Sequence, residues 1–338
     1  MTEEYRVAQI PLRYQEDREN LIEFLARHGL TFEQDIQTAF GVFDETDALA
    51  ACGCAAGSLL KCFAVEPGLR GRNALGLLVS SLIQERFSAG FYDLFVITRQ
   101  KNEALFVSCG LYPVVRTPEL VLLESQQNGP MNFAASLIRP GDERLQAGAI
   151  VMNCNPFTLG HRALIEYAAQ QCGVLHIFAV SEDRSAFPTD IRIRLVREGT
   201  ADLPNVRVHL SGNYIISSAT FPTYFLKKGE DAAALQSELD ISLFAQRIAP
   251  ELHITKRFAG QEPLDIVTAK YNDAMRHILP QYGIEFCEIP RLSQGNTVIS
   301  ASRVRQLLHK KGVCEEALAL VPEVTQRYLE TEFKGIDQ

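Results

Sequence analysis

No stretch of this 338-residue chain approaches the run of about 18 apolar residues that a membrane-spanning helix needs, so a helical membrane protein is not expected. Low-complexity tracts, a collagen-like repeat and long blocks of like charge are also missing. With hydrophobic residues at 46% and charged ones at 22%, a globular protein is expected instead. A surplus of positive charge is absent too: the formal net charge of −8 argues against a nucleic-acid surface, which needs a basic field. Any polyanion must therefore be held by a local cluster. The first residues, Met1-Thr2-Glu3-Glu4-Tyr5, lack the basic-then-apolar pattern of a signal peptide, and a cytoplasmic location is expected. Paired cysteines at metal spacing are scarce as well. The eight cysteines stand at 52, 54, 62, 109, 154, 172, 287 and 314, and only Cys52-Gly53-Cys54 is close, without a second pair or a histidine at ligand spacing. Buried free thiols are expected and no metal ligands are assigned. Cys154 has two readings, a buried thiol or a nucleophile activated by a helix terminus.

The length exceeds that of one compact core, so two domains are expected. The first comprises residues 1–128, the second 147–338, with a linker at 129–146; the polar, turn-rich Ser125-Gln126-Gln127-Asn128-Gly129-Pro130 straddles the first boundary. Periodicity in the first half predicts a helix over 18–28, strands over 38–43, 48–54 and 59–65, a helix over 72–89, and a strand over 92–98. A short helix over 102–109 and one last strand over 112–123 complete an α+β domain with a largely antiparallel sheet. The second half alternates strand and helix: strands over 149–152, 174–180, 206–210, 252–255 and 284–289, with helices over 159–171, 189–201, 232–249, 266–279 and 302–311. That alternation predicts a doubly wound parallel sheet, whose ligands bind beyond the carboxyl ends of its strands.

In the first half, Val65-Glu66-Pro67-Gly68-Leu69-Arg70-Gly71-Arg72, followed by a helix, a strand and Asn102, Phe106 and Gly110-Leu111, resembles the GNAT acetyltransferase fold. The resemblance implies a turn whose backbone amides meet the pyrophosphate of acetyl-CoA. Here Asn73 and Leu75 stand where small residues belong and would crowd that approach. The fold is therefore expected without acetyl-CoA binding, and docking of a protein-borne pantetheine-like arm is the competing use.

The chemistry is carried by two segments of the second half. Val151-Met152-Asn153-Cys154-Asn155-Pro156-Phe157-Thr158-Leu159-Gly160-His161 is an apolar run, a turn and a helix start. A helix N-terminus presents unpaired N–H groups and the positive end of a dipole, which stabilise a polyphosphate before any side chain contributes. Thr158 is a good N-cap, Gly160 admits a close approach, and His161 in the first turn can donate to a phosphate oxygen. The second segment, Ile299-Ser300-Ala301-Ser302-Arg303-Val304-Arg305, adds two hydroxyls and a guanidinium suited to charge developing on a leaving pyrophosphate. Either segment alone is also what an ordinary capped helix looks like. Their joint occurrence, in this order on an α/β pattern, points to a nucleotide triphosphate site.

These T-x-G-H and I-S-x-S-x-x-R patterns resemble those of the HxGH-type nucleotidyltransferase superfamily, which has a Rossmann-like fold. Two more stretches narrow the likeness: Ser181-Glu182-Asp183-Arg184-Ser185-Ala186-Phe187-Pro188 with Arg192, and Ser217-Ser218-Ala219-Thr220-Phe221-Pro222 followed by Tyr224-Phe225-Leu226-Lys227. With the GNAT-like half, they are similar to the citrate lyase ligase family over essentially the whole chain. The resemblance implies an acid–thiol ligase that forms acetyl-AMP and pyrophosphate from acetate and ATP. The acetyl group then passes to the phosphoribosyl-dephospho-CoA thiol of the citrate lyase acyl carrier subunit. Attack of acetate on the α-phosphorus needs positioning and charge stabilisation rather than a covalent nucleophile, and no Ser-His-Asp or Cys-His set is required.

By the same resemblance, Thr158, Gly160 and His161 would hold the α- and β-phosphates, and Ser300, Ser302 and Arg305 the β- and γ-phosphates, with Mg2+ bridging them. His161, Arg305 and Lys227 are the catalytic candidates. Asn153 and Asn155 are either nucleotide contacts or turn formers, and Lys227 is either a phosphate or acetate partner or a solvated helical lysine. Arg192 is either a site arginine or one half of a surface salt bridge. Glu262, in Gly260-Gln261-Glu262-Pro263 beyond a strand, is a further contact for adenosine or the acyl group. The alternative activity is an adenylyltransferase acting on a small phosphate ester such as a phosphopantetheine-like substrate. An acyltransferase working through the first half is disfavoured by the Arg70–Leu75 turn, and a non-enzymatic adaptor by the completeness of the phosphate clamp.

Overall fold

Alternating apolar residues build one sheet in each half of the chain, and the helices that cover them carry apolar stripes at three- and four-residue spacing. The computed structural model describes residues 5–181, 185–215, 221–262, 265–294, 297–333 and 335. The chain divides into a unit of Met1–Gly129 with Thr220–Leu239, and a second of Pro130–Ala219 with Asp240–Gln338. This division differs from the sequence expectation twice. The expected linker clusters with the second unit, and the chain returns to the first unit for twenty residues in the middle of the second.

The first unit has a sheet of β1 (Arg6–Gln9), β2 (Thr38–Phe43), β3 (Leu49–Ala56), β4 (Leu59–Val65), β5 (Phe95–Arg99), β6 (Tyr112–Arg116) and β7 (Leu120–Glu124). Their order is β1-β2-β3-β4-β5-β7-β6, antiparallel except for β4 and β5, which run parallel and are paired at Leu59 and Phe95 alone. Helices α1 (Gln15–Arg27), α2 (Ala74–Ser88) and α3 (Glu103–Ser108) complete it. The four-residue stripe Ala74, Leu78, Leu82, Arg86 on α2 is buried, and its last member reaches the sheet by donating to Thr38 Oγ1 at 3.0 Å. The single strand expected over 112–123 is a hairpin. Pro118 cannot donate to a ladder, and Thr117 closes the turn by donating its N–H to the Leu120 carbonyl at 2.8 Å. The short, mostly exposed β1 carries too little alternation to be read from sequence.

A buried ammonium fastens the returning segment. Lys61 Nζ lies 2.8 Å from Glu33 and 2.6 Å from Asp35, with its side chain almost wholly removed from water. Glu33 in turn accepts from the Thr223 N–H and hydroxyl at 2.7 and 2.8 Å, and Tyr224 enters the apolar cluster of Leu21, Phe24 and Cys62.

The second unit opens with α4 (Gly129–Ser136) and continues as β8 (Ala147–Met152), α5 (Leu159–Ala169), β9 (Val174–Ala179), α6 (Thr189–Glu198) and β10 (Val206–Leu210). Then come the end of α7 (Ala232–Leu243), whose residues up to Leu239 belong to the first unit, β11 (Ile254–Gly260), α8 (Ile266–Ile278), β12 (Glu285–Ile289), a hairpin of β13 (Ser293–Gln294) and β14 (Thr297–Val298), α9 (Ala301–Lys311), α10 (Glu315–Leu318) and α11 (Glu323–Thr331). The five long strands are all parallel, in the order β10-β9-β8-β11-β12. After β8 the chain winds outward one way, and from β11 the other. The crevice between the carboxyl ends of β8 and β11 is therefore the switch point where such sheets bind ligands. One face of the sheet packs Ile150, Ile177 and Phe258 against α5, α6, α9 and α11 in a single apolar cluster. On the other face lie Phe178 and Arg257, with the Phe244 ring 6.3 Å from Phe178 and 4.2 Å from the guanidinium.

Two expectations change here. The helix expected over 232–249 widens into a π turn at Phe244–Ile248, and the strand expected over 252–255 runs on to Gly260. Lys256 and Arg257 interrupt the apolar run of that strand, yet Arg257 is only 3% exposed.

His176 on β9 and His209 on β10 are buried with Nδ1 and Nε2 3.0 Å apart. Burial pulls His176 down to about 4, with opposing charges from Asp142 and from Arg207 and Arg139, and burial with the charge of His176 pulls His209 down to about 3. The folded state thus binds fewer protons than the unfolded chain below the ordinary histidine value of 6.5, and stability must fall with falling pH through that window. Urea midpoints should therefore decline from pH 6.5 towards pH 4, and a His176→Asn/His209→Asn double variant should show a shallower decline. An unchanged slope in that variant would assign the acid sensitivity to other groups.

Candidate active site

Thr158 ends the extended segment after β8 and caps α5. Its Oγ1 accepts from the His161 N–H at 3.4 Å, and its own N–H donates to His161 Nδ1 at 3.1 Å. A backbone N–H can only donate, so Nδ1 must accept, and the ring proton belongs on Nε2. Burial holds His161 neutral, lowering it to about 4, with a smaller contribution from the positive charge of Arg291. The result is an uncharged imidazole whose Nε2–H is a fixed donor. Phe157 stacks on the same ring at 6.1 Å with the planes 10° apart. The Leu159 N–H is spent on the Leu320 carbonyl at 3.0 Å, while the Gly160 N–H has no acceptor among the described residues.

Gly160 has a second reason for its identity. A Cβ there would come within 3.2 Å of the Ile299 carbonyl, so the two sequence segments pack directly against each other at this glycine. Ser300 caps α9 by accepting from the Arg303 N–H at 3.2 Å. Arg305 then points back across the crevice: one Nη donates to the Asn155 carbonyl and the other to Ser302 Oγ at 3.1 Å. Desolvation lowers Arg305 somewhat from its ordinary value, a sign that its charge is poorly served by water.

The asparagines at the end of β8 are held by the scaffold through their amide oxygens. Asn153 Oδ1 accepts from Arg192 at 2.7 Å, and Asn155 Oδ1 from the Phe187 N–H at 3.0 Å. Arg192 is no surface residue. It is fully buried and donates to the carbonyls of Phe187, Asn153 and Val180 at 3.0, 2.8 and 2.7 Å, and to Thr189 Oγ1 at 2.7 Å. One guanidinium therefore ties the ends of β8 and β9 to the start of α6. Glu262, two residues beyond β11, forms an ion pair with Arg291, which also donates to the Gln261 carbonyl at 2.7 Å. A cavity of about 320 Å³ lined by Glu262, Asp265, Ile266, Lys270, Arg276 and Glu288 opens beside that pair.

The second unit by itself supplies Asn153, Asn155, Thr158, Gly160, His161, Glu262, Ser300, Ser302 and Arg305. Lys227 belongs to the first unit, where its N–H donates to Glu230 at 2.7 Å. Glu182, Asp183 and Arg184, the stretch Ser217 to Thr220, and Pro263 lie outside the described residues. Cys154 is buried and its thiol is pushed up by desolvation, the opposite of what a nucleophile needs. Arg291 was not anticipated. Its signal in the sequence is its place just past β12, after Pro290, at a further carboxyl end of the sheet.

Among the described residues, no group of three or more His, Cys, Asp or Glu side chains is arranged to hold a metal ion. No helix among them is long and apolar enough to cross a membrane.

The pattern of the family described as "Citrate lyase ligase C-terminal domain" matches residues 147–329. The [Citrate [pro-3S]-lyase] ligase of Escherichia coli (strain K12) is 41% identical over 316 residues, covering 92% of this chain and 89% of the relative. The Klebsiella pneumoniae protein of the same name is 38% identical over 317 residues, with 92% of each chain covered. Among solved structures, a GNAT-family acetyltransferase from Staphylococcus aureus covers 36% of this chain and 100% of its own at 10% identity and a TM-score of 0.30, a score at which the likeness decides nothing.

Replacing Arg192 with Met should remove the guanidinium donor from three backbone carbonyls, one buried and two part-buried, at a cost on the order of 1–3 kcal/mol for each one left unpaired. The variant is expected to lose about 3 kcal/mol or more in urea unfolding. A midpoint matching the unmodified protein would show that Arg192 does not hold the strand ends together.

Proposed function

The chain belongs to the citrate lyase ligase family, and from that membership we propose that its second unit condenses ATP with acetate to give acetyl-AMP and pyrophosphate. The acetyl group then passes to the prosthetic-group thiol of the citrate lyase acyl carrier subunit, releasing AMP and activating citrate lyase. This is cytoplasmic chemistry. In the first step a carboxylate oxygen of acetate bonds to the α-phosphorus as the bond to the β-phosphate oxygen breaks. In the second, the thiol sulfur attacks the acetyl carbon and the adenylate leaves.

The observation that carries this reading is the hydrogen bond from the Thr158 N–H to His161 Nδ1 at 3.1 Å, which leaves Nε2–H as the ring's donor at the start of α5. A neutral donor strengthens a hydrogen bond as negative charge grows on a phosphate oxygen, without exchanging a proton with it. Arg305 is aimed from α9 towards the same loop through the Asn155 carbonyl, and Ser302 steadies it. From there it meets the charge left on departing pyrophosphate. The Gly160 N–H and the Ser300 and Ser302 hydroxyls complete the phosphate cradle. Asn153 and Asn155 present their amide NH2 groups to the nucleotide, since their oxygens are occupied. Glu262 contacts the nucleoside or acyl portion, and Lys227 is a further candidate cation for phosphate or acetate. Magnesium bound to the triphosphate supplies neutralisation of its charge.

His161→Ala and Arg305→Ala should each lower acetate-dependent exchange of labelled pyrophosphate into ATP by well over tenfold while leaving the folded state intact. Unchanged exchange in either variant would sink the assigned roles. The same assay separates the two activities: exchange that requires acetate supports the ligase, whereas exchange that appears only with a phosphopantetheine-like ester supports the simple adenylyltransferase.

A further inference from the structure

Three guanidiniums stand at the carboxyl edge of the second unit's sheet, and they differ in what holds them. Arg192 is sealed among carbonyls and Thr189, with no surface left to offer. Arg305 is committed to the Asn155 carbonyl and Ser302. Arg291 is different. Its Nε donates to the Gln261 carbonyl at 2.7 Å and its Nη2 meets Glu262, while a quarter of its side-chain surface remains exposed. A guanidinium carries five N–H donors, and Nη1 of Arg291 has no partner among the described residues.

Its position is as telling as its bonding. Strands β8, β11 and β12 are neighbours in that order, and adjacent strands lie about 5 Å apart. His161 follows β8, the pair Gln261-Glu262 follows β11 and Arg291 follows β12, so the three loops lie side by side on one edge. The charge of Arg291 is felt at the His161 ring. It is also partly desolvated, and such a cation gains more than an exposed one from a multivalent anion.

We propose that Arg291 is a further triphosphate-binding residue, sharing its guanidinium between Glu262 and the polyphosphate of the incoming nucleotide. The proposal rests on the reading that the edge around His161 and Arg305 holds ATP. In it, Glu262 and the Gln261 carbonyl aim the planar group, and the free Nη1 edge meets phosphate oxygens on the side opposite α5. Lysine cannot substitute fully, because one ammonium cannot keep both anchors and still present a flat donor edge.

The test is calorimetric titration of the intact purified chain with inorganic tripolyphosphate and, separately, with adenosine. Arg291→Gln is expected to weaken tripolyphosphate binding about tenfold or more, the loss of a charge-assisted contact, and to leave adenosine binding unchanged. Arg291→Lys should recover only part of the loss. Equal weakening of adenosine and tripolyphosphate would reveal a merely structural role and overturn the proposal. Arg305→Gln separates the two levels of inference. If it weakens tripolyphosphate binding while Arg291→Gln does not, the proposal fails and the nucleotide site stands; if neither does, both fail. Should Arg291→Gln not fold, the comparison of Arg291→Lys with the unmodified chain decides, and full tripolyphosphate affinity in Arg291→Lys overturns the proposal.

Discussion

The hydrogen bond from the Thr158 N–H to His161 Nδ1 is the constraint on which the rest of the site depends. It fixes three things together. It ends the extended segment and starts α5, because the reciprocal contacts satisfy two groups that a helix N-terminus would otherwise leave unpaired. It fixes the tautomer of a part-buried imidazole, since the only proton position compatible with an accepting Nδ1 is Nε2. And it fixes the charge, because a second proton would have to displace the Thr158 N–H from Nδ1 in a poorly hydrated place. A helix cap and a fixed Nε2–H donor are here one piece of geometry.

Around that bond, the crevice is held open by groups that apolar patterning does not describe. Arg192 brings carbonyls from the loops after β8 and β9 to a single point, which sets the spacing of the strand ends. On the opposite face of the sheet, Arg257 lies over the Phe244 ring, and its Nη1 is without a hydrogen-bond partner among the described residues. A buried cation over an aromatic face is partly stabilised by the ring quadrupole. The π turn that begins at Phe244 is what presents this ring. The helix irregularity and the buried arginine are thus two sides of one packing solution.

What the sequence made legible follows from this division. The parallel sheet was readable because strands buried on both faces are near-continuous apolar runs, as in 147–152 and 174–179, and because helices of ordinary length intervene. The two helix-start segments were readable because capping residues are local. Thr158 with His161, and Ser300 with Arg303, act within three positions of each other. Arg257 hid the last residues of β11, since a charged letter breaks an apolar pattern whatever its burial. Arg192 read equally well as a surface residue, because its partners lie 5, 12 and 39 positions away and are mostly backbone atoms that carry no sequence signature. The return of the chain to the first unit was also hidden: its fastening to Glu33 spans 190 positions.

Gly160 shows how a correct residue can carry an incomplete reason. Its lack of a side chain suggests room for a phosphate, yet the nearest obstacle to a Cβ is the Ile299 carbonyl. The glycine therefore brings the start of α9 against the start of α5. Any residue larger than glycine would press on Ile299, and through it on Ser300 and the helix that carries Arg305. The two helix-start segments are in this sense mechanically one. The first contains the contact point at which the second is positioned, and neither would hold its geometry in a protein that had only the other.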